Sequence, residues 1–348
     1  MIKRIVTHYR PHADELIALI FLKNFPEGEE KFPGVKTASI EFLSTGKLPL
    51  NKTYKDFPDS IFLGVGSGPF DEHETSSQER AKGEVCATLV AKALGIEGKP
   101  ELQGILNVVR NEDLNVATEK DALSIMIKFL HSCFKDDADL IYKWAEIAYL
   151  AHIRLALESG AAEPFTLGAT KQILKSQNHP ESKWFEETIN KAILHQHAEF
   201  QKAQSEFDQN STVWRVKAYD EKPVSIAFIK SDNEEMGKAA RSRGLEMIIQ
   251  KNSRGNVFIF TNRKRGLNLS SVIALLRLAE QHFAGNMQVS DTNTLCSVGM
   301  IADIPWYLFY TRDMIFNGSL TTKDIPPTQI PEEKMIQIIL EGIQKNFQ

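Results

Sequence analysis

Short apolar segments alternate with helical periodicity in the first part of the chain. Residues 3–7 have the pattern of a short buried strand, and a polar turn separates them from a helix that opens at Asp14. Two further apolar segments, 38–43 and 60–65, predict strands, and the second suits a parallel strand covered on both faces. Strands alternating with helices predict an α/β domain with a mainly parallel sheet.

The pattern changes twice along the rest of the chain. Helical periodicity dominates from about residue 79 to residue 210, which adds a helical extension to the first domain. After Ser211, segments with strand alternation return, and hairpin chemistry at Asn252-Ser253-Arg254-Gly255 joins two of them. We therefore predict two domains, an α/β domain over 1–210 and a smaller α+β domain over 211–348.

Two helices are expected in the smaller domain. One spans about 269–283, with Ser270 or Ser271 available as its N-cap, and an amphipathic helix closes the chain from Pro331.

Composition narrows the class of protein. The chain has 348 residues, which is more than one core usually holds, and its 42% hydrophobic and 25% charged residues are typical of folded globular proteins. A net charge of -4 argues against tight nonspecific binding of duplex nucleic acid. Three widely spaced cysteines suggest no disulfide framework, and no apolar segment is long enough for a membrane span. We expect a cytoplasmic protein without a membrane partner.

The first candidate site lies where the first strand meets the first helix. His8, His12 and Asp14 fall within one turn there, at the edge of a parallel sheet where ligands bind. Two imidazoles and a carboxylate suit Mn²⁺, Zn²⁺ or Fe²⁺. The alternative is that His8 and His12 are ordinary strand-end and loop residues and Asp14 only caps the helix.

A second cluster, Asp71-Glu72-His73-Glu74, follows the strand predicted at 60–65. Both clusters follow parallel strands, so we expect them on the same sheet edge. An acidic surface turn is the alternative for this cluster. Asp113, at the polar end of an apolar helix, is a third carboxylate candidate.

In this order, the motifs resemble the DHH phosphoesterase superfamily, and within it the DHH-like metal-dependent exonucleases of the melanocyte proliferating gene type. His8-Tyr9-Arg10-Pro11-His12-Ala13-Asp14 is similar to the opening motif, and Asp71-Glu72-His73 to the Asp-His-His element. The resemblance covers residues 1 to about 120, with Asp113 in the place of the last aspartate. The chain departs from the family pattern at Gly64, where a metal-bridging aspartate is usual, and at Glu72, which replaces a histidine.

The resemblance implies hydrolysis of a phosphoester with the help of a divalent metal, most naturally manganese, with magnesium, iron or zinc as alternatives. It implies that five residues bind the metal and that two more are catalytic. Of these two, His73 would transfer the proton. The metal ligands would be His8, His12, Asp14, Glu72 and Asp113, and the catalytic residues His73 and Asp71.

The smaller domain would then bind the rest of the substrate. The basic loop Arg263-Lys264-Arg265 precedes a helix N-terminus, a combination that suits phosphate, although a solvated hairpin end is the alternative. Asn317 and Ser319 could present polar groups from a turn, and Arg10 is a further candidate contact. Trp306 could stack on a base, but an aromatic beside proline is more often core.

The sequence thus predicts a metal-dependent phosphohydrolase whose substrate is a phosphate-containing small molecule, such as a nucleotide, or a short single-stranded nucleic acid. The alternative is a catalytically degenerate relative that binds nucleotides or has a regulatory role. The oligomeric state is left open, with a homodimer as one option.

Overall fold

The structure is a computed structural model that describes residues 1–43, 48, 52–72, 84–113, 121–135, 137–160, 163–286, 291–301, 304–318 and 325–347. It divides into two compact units, Met1–Gln196 and His197–Gln348, and the division falls inside the long helix Ser182–Asn210. Mixed α/β architecture is confirmed: the first unit holds a parallel sheet among many helices and the second a mixed sheet.

The first unit has three parallel strands in the order β2-β1-β3. Its elements are β1 (Arg4–His8), α1 (Ala13–Asn24), α2 (Pro26–Lys31), β2 (Ser39–Leu43), β3 (Ser60–Leu63), α3 (Cys86–Leu94), α4 (Pro100–Asp113), α5 (Leu123–Cys133), α6 (Ala138–Ser159), α7 (Leu167–Ser176) and α8 (Ser182–Asn210), which continues into the second unit.

Helix α1 is the centre of this unit. Every residue from Ala13 to Leu22 is buried, and the helix packs against α3, α4 and α6. A helix that is apolar all round belongs in the interior, and the run Leu16–Leu22 has that composition. Its first turn nevertheless carries two buried carboxylates, Asp14 and Glu15.

The second unit has a seven-stranded sheet in the order β4-β5-β6-β7-β10-β9-β8, in which only β5 and β6 pair in parallel. Its elements are β4 (Thr212–Lys217), β5 (Pro223–Lys230), α9 (Met236–Ser242), β6 (Met247–Lys251), β7 (Val257–Thr261), α10 (Ser270–Phe283), α11 (Thr292–Leu295), β8 (Gly299–Ile301), β9 (Ile304–Leu308), β10 (Met314–Asn317) and α12 (Glu332–Ile343). Helices α10 and α12 pack together in the same core as the buried face of the sheet.

Two predictions of helix capping are corrected. Helix α10 has Leu269 as its N-cap, and the side-chain oxygen of Asn268 accepts a hydrogen bond from the Ser270 N–H at 2.9 Å. Helix α1 begins after His12, so Asp14 is its second residue rather than its cap. Both helices start at a residue that the usual N-cap preference does not favour.

One buried arginine links several backbone segments of the second unit by hydrogen bonds. Arg277 of α10 has no exposed surface, and its guanidinium donates to the carbonyl oxygens of Leu295, Ser297, Gly299 and Trp306 at 2.6–3.1 Å. Burial lowers the pKa of Arg277 to about 10. These hydrogen bonds hold α11, β8 and β9 against α10.

Within the residues described, no helix combines the length and the apolar character needed to cross a bilayer.

We expect Arg277→Met to lower the free energy of unfolding by at least ~3 kcal/mol, because each buried carbonyl left without a donor costs about 1–3 kcal/mol. Urea unfolding of the full chain measures this loss. Arg215→Met, at an exposed position on β4, is the matched control and should change stability by less than ~0.5 kcal/mol. Similar losses in the two variants would contradict the structural role of Arg277.

Candidate metal centre

Two loops meet at the carboxyl edge of the parallel sheet. Strands β1 and β3 are neighbours, so the chain leaves both of them on the same side. The loop after β3 folds back on itself, since the Gly64 N–H donates to the carbonyl oxygen of Phe70 at 2.9 Å. Asp71 and Glu72 follow directly, which brings them to the edge that carries His8.

Glu15 is the residue around which this edge is arranged. Its Oε1 lies 2.7 Å from Nε2 of His8, and its Oε2 accepts a hydrogen bond from the His12 N–H at 2.7 Å. The other ring nitrogen of His8, Nδ1, lies 3.0 Å from the Tyr9 carbonyl oxygen. The Glu15 carboxylate therefore fixes both the imidazole at the end of β1 and the backbone where α1 begins.

Two groups of potential metal ligands converge here. Donor atoms of His8, His12 and Glu15 lie within 4.8 Å of one another, and so do donor atoms of Asp14, Glu15 and Glu72. The His8 and His12 rings are 5.0 Å apart, in an edge-on arrangement. The first group mixes imidazole with carboxylate, and the second offers oxygen alone.

These carboxylates are removed from water. Asp14, Glu15, Asp71 and Glu72 are each less than 10% exposed, whereas His8 is half-buried and His12 is exposed. Burial opposes ionisation of Glu15, yet the nearby His8 imidazole holds the pKa of this carboxyl well below its usual range. Burial likewise opposes the charged form of His8, but Glu15 raises its pKa above the ordinary value. Each member of the pair thus favours the charged form of the other, and the other buried carboxylates favour a cation nearby.

Gly64 approaches the same carboxylate from the end of β3. Its φ of +64° lies in the left-handed region, and a Cβ at this position would stand 2.8 Å from Oε1 of Glu15. The Glu15 side chain therefore occupies the space into which a side chain at position 64 would project. Glycine accommodates both the backbone angle and the close contact without strain.

Left-handed backbone also recurs in the two loops at this edge. Arg10 has a φ of +61° and Ser67 a φ of +53°. The Ser67 N–H donates to Oδ2 of Asp71 at 2.9 Å, which orients this carboxylate. Non-glycine residues held in this region cost of order 1–3 kcal/mol each and cluster at functional sites. The guanidinium carbon of Arg10 lies 5.7 Å from the centroid of the Tyr9 ring.

Buried neutral groups lie around the carboxylates. The His131 Nε2 lies 2.9 Å from the Pro11 carbonyl oxygen and anchors the loop after β1. Burial lowers the pKa of His131 to about 4, so its ring is neutral and donates this hydrogen bond. Burial, together with Glu72 and Asp14, raises the pKa of the Cys86 thiol well above its usual range. Cys86 is thus a neutral thiol beneath the site.

The structure brings most of the sequence-predicted residues of the first unit together. His8, His12, Asp14 and Glu72 belong to the two ligand groups, and Asp71 lies close enough to His8 to raise its pKa. His73 lies outside the described residues. Asp113 ends α4, and its side chain also lies outside the described part of the chain.

The predicted phosphate contacts of the second unit have partners within the fold. Arg265 forms a bidentate ion pair with Asp220, at 2.8 Å for both contacts, and the Arg263 Nε lies 3.0 Å from Asp313. Lys264 is exposed. Acidic residues distant in sequence thus neutralise two of the three charges of the basic loop, which weakens the case for a phosphate site there.

Of the other residues proposed as contacts in this unit, those that the structure describes are interior. Asn317 is fully buried and donates to the Pro305 carbonyl oxygen at 2.6 Å, and Ser319 lies outside the described residues. Trp306 is fully buried and donates from its indole nitrogen to Glu280 at 2.8 Å, which is the core role that the sequence favoured over base stacking.

Arg312, which was not among the candidate residues from the sequence, lies at the start of α10. Arg312 donates to the hydroxyl of Ser270 at 2.6 Å and, with Asn268, Asn293, Cys296 and Phe347, lines a cavity of about 470 Å³. No local sequence signal connects Arg312 with α10, because the contact depends on how the strands pair.

Glu15 was also missed as a site residue. Its position three residues after the helix N-cap gives it an ordinary capping role, which it does fill. A signal was nevertheless present in the sequence, since Asp14 and Glu15 directly precede an unbroken apolar run. Carboxylates on a helix that is buried all round need a partner.

No family model matches the chain, and no curated protein matches it significantly.

We expect Gly64→Ala to destabilise the protein more than Gly95→Ala. Both glycines have a left-handed φ, +64° and +72°, but a Cβ at Gly95 meets nothing within 4 Å. Gly95→Ala should therefore cost only the ~1–2 kcal/mol of the backbone angle, and Gly64→Ala a further ~1–3 kcal/mol for the contact with Glu15.

Urea unfolding of both variants, alone and combined with Glu15→Ala, measures the difference. The extra cost at Gly64 should vanish in the Glu15→Ala background. Equal costs for the two glycine variants in the parent protein would show that Gly64 and Glu15 are not in contact.

Proposed function

We propose that this protein is a metal-dependent phosphohydrolase, related to the DHH phosphoesterase superfamily, that acts on a nucleotide or a short single-stranded nucleic acid. The observation that carries this proposal is the convergence of two histidines and three buried carboxylates at the carboxyl edge of a parallel sheet. That edge is where open α/β sheets bind their ligands.

The residues present fit a divalent cation. His8 has the arrangement of a metal-binding imidazole, since a backbone carbonyl near Nδ1 would leave Nε2 as the ligand atom. Asp14, Glu15 and Glu72 contribute oxygen donors that suit manganese and magnesium, while the imidazoles also suit iron and zinc. We propose manganese as the cofactor, with magnesium, iron or zinc as alternatives.

A bound divalent cation would polarise the phosphoryl oxygen and lower the pKa of a bound water towards ~7. The protein's own residues would orient the reaction. His12, exposed at the mouth of the loop, faces the solvent from which substrate arrives, and Arg10 beside it can pair with phosphate oxygens. Asp71, held by the Ser67 N–H, has a fixed direction, and His73 is the residue we propose for protonating the leaving oxygen.

Charge supports the proposed substrate class. A net charge of -4 provides no broad positive field, and ion pairs compensate the arginines of the 263–265 loop. Both features favour a small phosphorylated ligand or a few unpaired nucleotides over a duplex.

A second candidate function is nucleotide binding without hydrolysis. Gly64 favours this function. The family pattern has a metal-bridging aspartate at the end of this strand, and this chain has glycine there. Turnover distinguishes the two functions, because a binding module would retain ligand but release no product.

We expect His12→Ala and Asp14→Asn each to reduce Mn²⁺-dependent release of phosphate or mononucleotide more than ~100-fold. Loss of a ligand should exceed the 10–100-fold effect of removing a residue that only supports one. His197→Ala, an exposed histidine on α8, is the matched control and should keep full activity. Unchanged turnover in both site variants would refute the assignment.

Metal binding should also be visible in stability. Mn²⁺ at 100 times its dissociation constant should raise the free energy of unfolding by ~2.7 kcal/mol, because the ligands are assembled only in the folded state. Without metal, Asp14→Asn should be neutral or stabilising, since it removes one of several repelling buried carboxylates. With Mn²⁺, the free energy of unfolding of the same variant should rise less than that of the parent protein. A melting temperature insensitive to Mn²⁺ would count against the metal centre.

A further inference from the structure

A third histidine lies beside the two groups of potential ligands and is a member of neither. The Nε2 of His131, on α5, is 2.9 Å from the carbonyl oxygen of Pro11, which is 120 positions away in the sequence. His131 is 8% exposed and Pro11 is buried as well, so this hydrogen bond is made away from water. It joins the helical part of the first unit to the loop between β1 and α1.

The carbonyl oxygen of Pro11 belongs to the same peptide unit as the N–H of His12. A proline has no backbone N–H, so this carbonyl is the only hydrogen-bonding group that Pro11 offers. The His12 N–H donates to Oε2 of Glu15 at 2.7 Å. Because a peptide unit is planar, hydrogen bonds to His131 and Glu15 together fix its orientation from both sides.

The orientation of this peptide decides where the His12 side chain points, since the Cα of His12 lies in the same plane. As the peptide stands, donor atoms of His8, His12 and Glu15 lie within 4.8 Å of one another. The loop would rearrange if it were released, because Arg10 has a φ of +61°, which is unfavourable for a residue with a Cβ. A rotated peptide would carry the His12 imidazole away from the other two ligands.

The surroundings of His131 suit a neutral hydrogen-bond donor. Burial is the main cause that lowers the pKa of His131 to about 4, and the nearby positive groups Arg10, His12 and His8 act in the same direction. The neutral ring has one N–H, and Pro11 accepts it. His131 therefore acts on the site through the position of the loop rather than through a charge of its own.

We propose that His131 is a positioning residue, which holds the peptide between Pro11 and His12 in the orientation that keeps the His12 imidazole beside His8 and Glu15. This inference rests on the proposed metal-dependent function. It makes the affinity for the metal depend on a residue of α5 that does not itself bind the metal.

The test is Mn²⁺ binding to the full chain, measured by calorimetry for affinity and by pulsed electron paramagnetic resonance for imidazole nitrogen bound to Mn²⁺. His131→Leu removes the donor and should weaken Mn²⁺ binding about 10–100-fold, as expected for a residue that supports a ligand. The nitrogen signal should fall from two imidazoles to one. His131→Gln places an amide N–H close to the position of Nε2 and should restore both measurements towards those of the parent protein.

His152 of α6 provides the matched control. It is also a buried histidine, its Nε2 lies 2.9 Å from the hydroxyl of Thr170, and burial lowers its pKa to about 4. His152→Leu should therefore reduce the stability of the protein much as His131→Leu does, but leave Mn²⁺ affinity and the nitrogen signal unchanged. Equal weakening of Mn²⁺ binding by the two variants would overturn the positioning role.

The effect of His131 should also depend on His12. In a His12→Ala background, which keeps Asp14, Glu15 and Glu72, His131→Leu should change Mn²⁺ affinity less than about 2-fold, because the ligand that it positions is absent. A loss as large as that in the parent protein would contradict the proposal. If His131→Leu does not fold, His131→Asn replaces it in each measurement, since asparagine is polar but too short to reach Pro11.

The outcomes distinguish this inference from the proposed function. Mn²⁺ binding by the parent protein that His131→Leu leaves unaltered would overturn the positioning role alone. A parent protein that binds no Mn²⁺ would overturn both.

Discussion

A carboxylate in a protein interior has to be balanced by positive charge or by hydrogen-bond donors, and Glu15 is balanced by the His8 imidazole and the His12 N–H. These two contacts join the last residue of β1 to the beginning of α1. They fix the loop between them, which carries Arg10 in a strained conformation, and they set where the central helix of the first unit begins. The course of the chain and the chemistry of the sheet edge thus depend on the two contacts of this one carboxylate.

Much of this arrangement follows from local sequence pattern. The strand that ends at His8 and the hairpin around Asn252–Gly255 were predicted close to their observed bounds, since period and turn chemistry are local properties. The meeting of the His8 and Glu72 loops followed from a general rule about parallel sheets. The role of Glu15 did not follow, because its position gave it an ordinary capping role, and the approach of Gly64 to it depends on the pairing of β1 with β3.

Of the sequence signals, the pattern of charges gave the least reliable prediction of the structure. Three adjacent basic residues at 263–265 suggested a phosphate site, but pairing of β7 with β10 and folding of the turn after β4 bring Asp313 and Asp220 against two of them. The arginine that does lie at the start of α10 is Arg312, which is isolated in sequence. A run of like charges predicts a local field only until its tertiary partners are known.

The close approach of Gly64 to Glu15 ties two distant positions into one steric choice. A side chain at position 64 would compete with the Glu15 carboxylate for that space. Among any sequences that share this site, positions 15 and 64 should consequently co-vary: a long acid at 15 requires glycine at 64, and an acid at 64 requires a short side chain at 15.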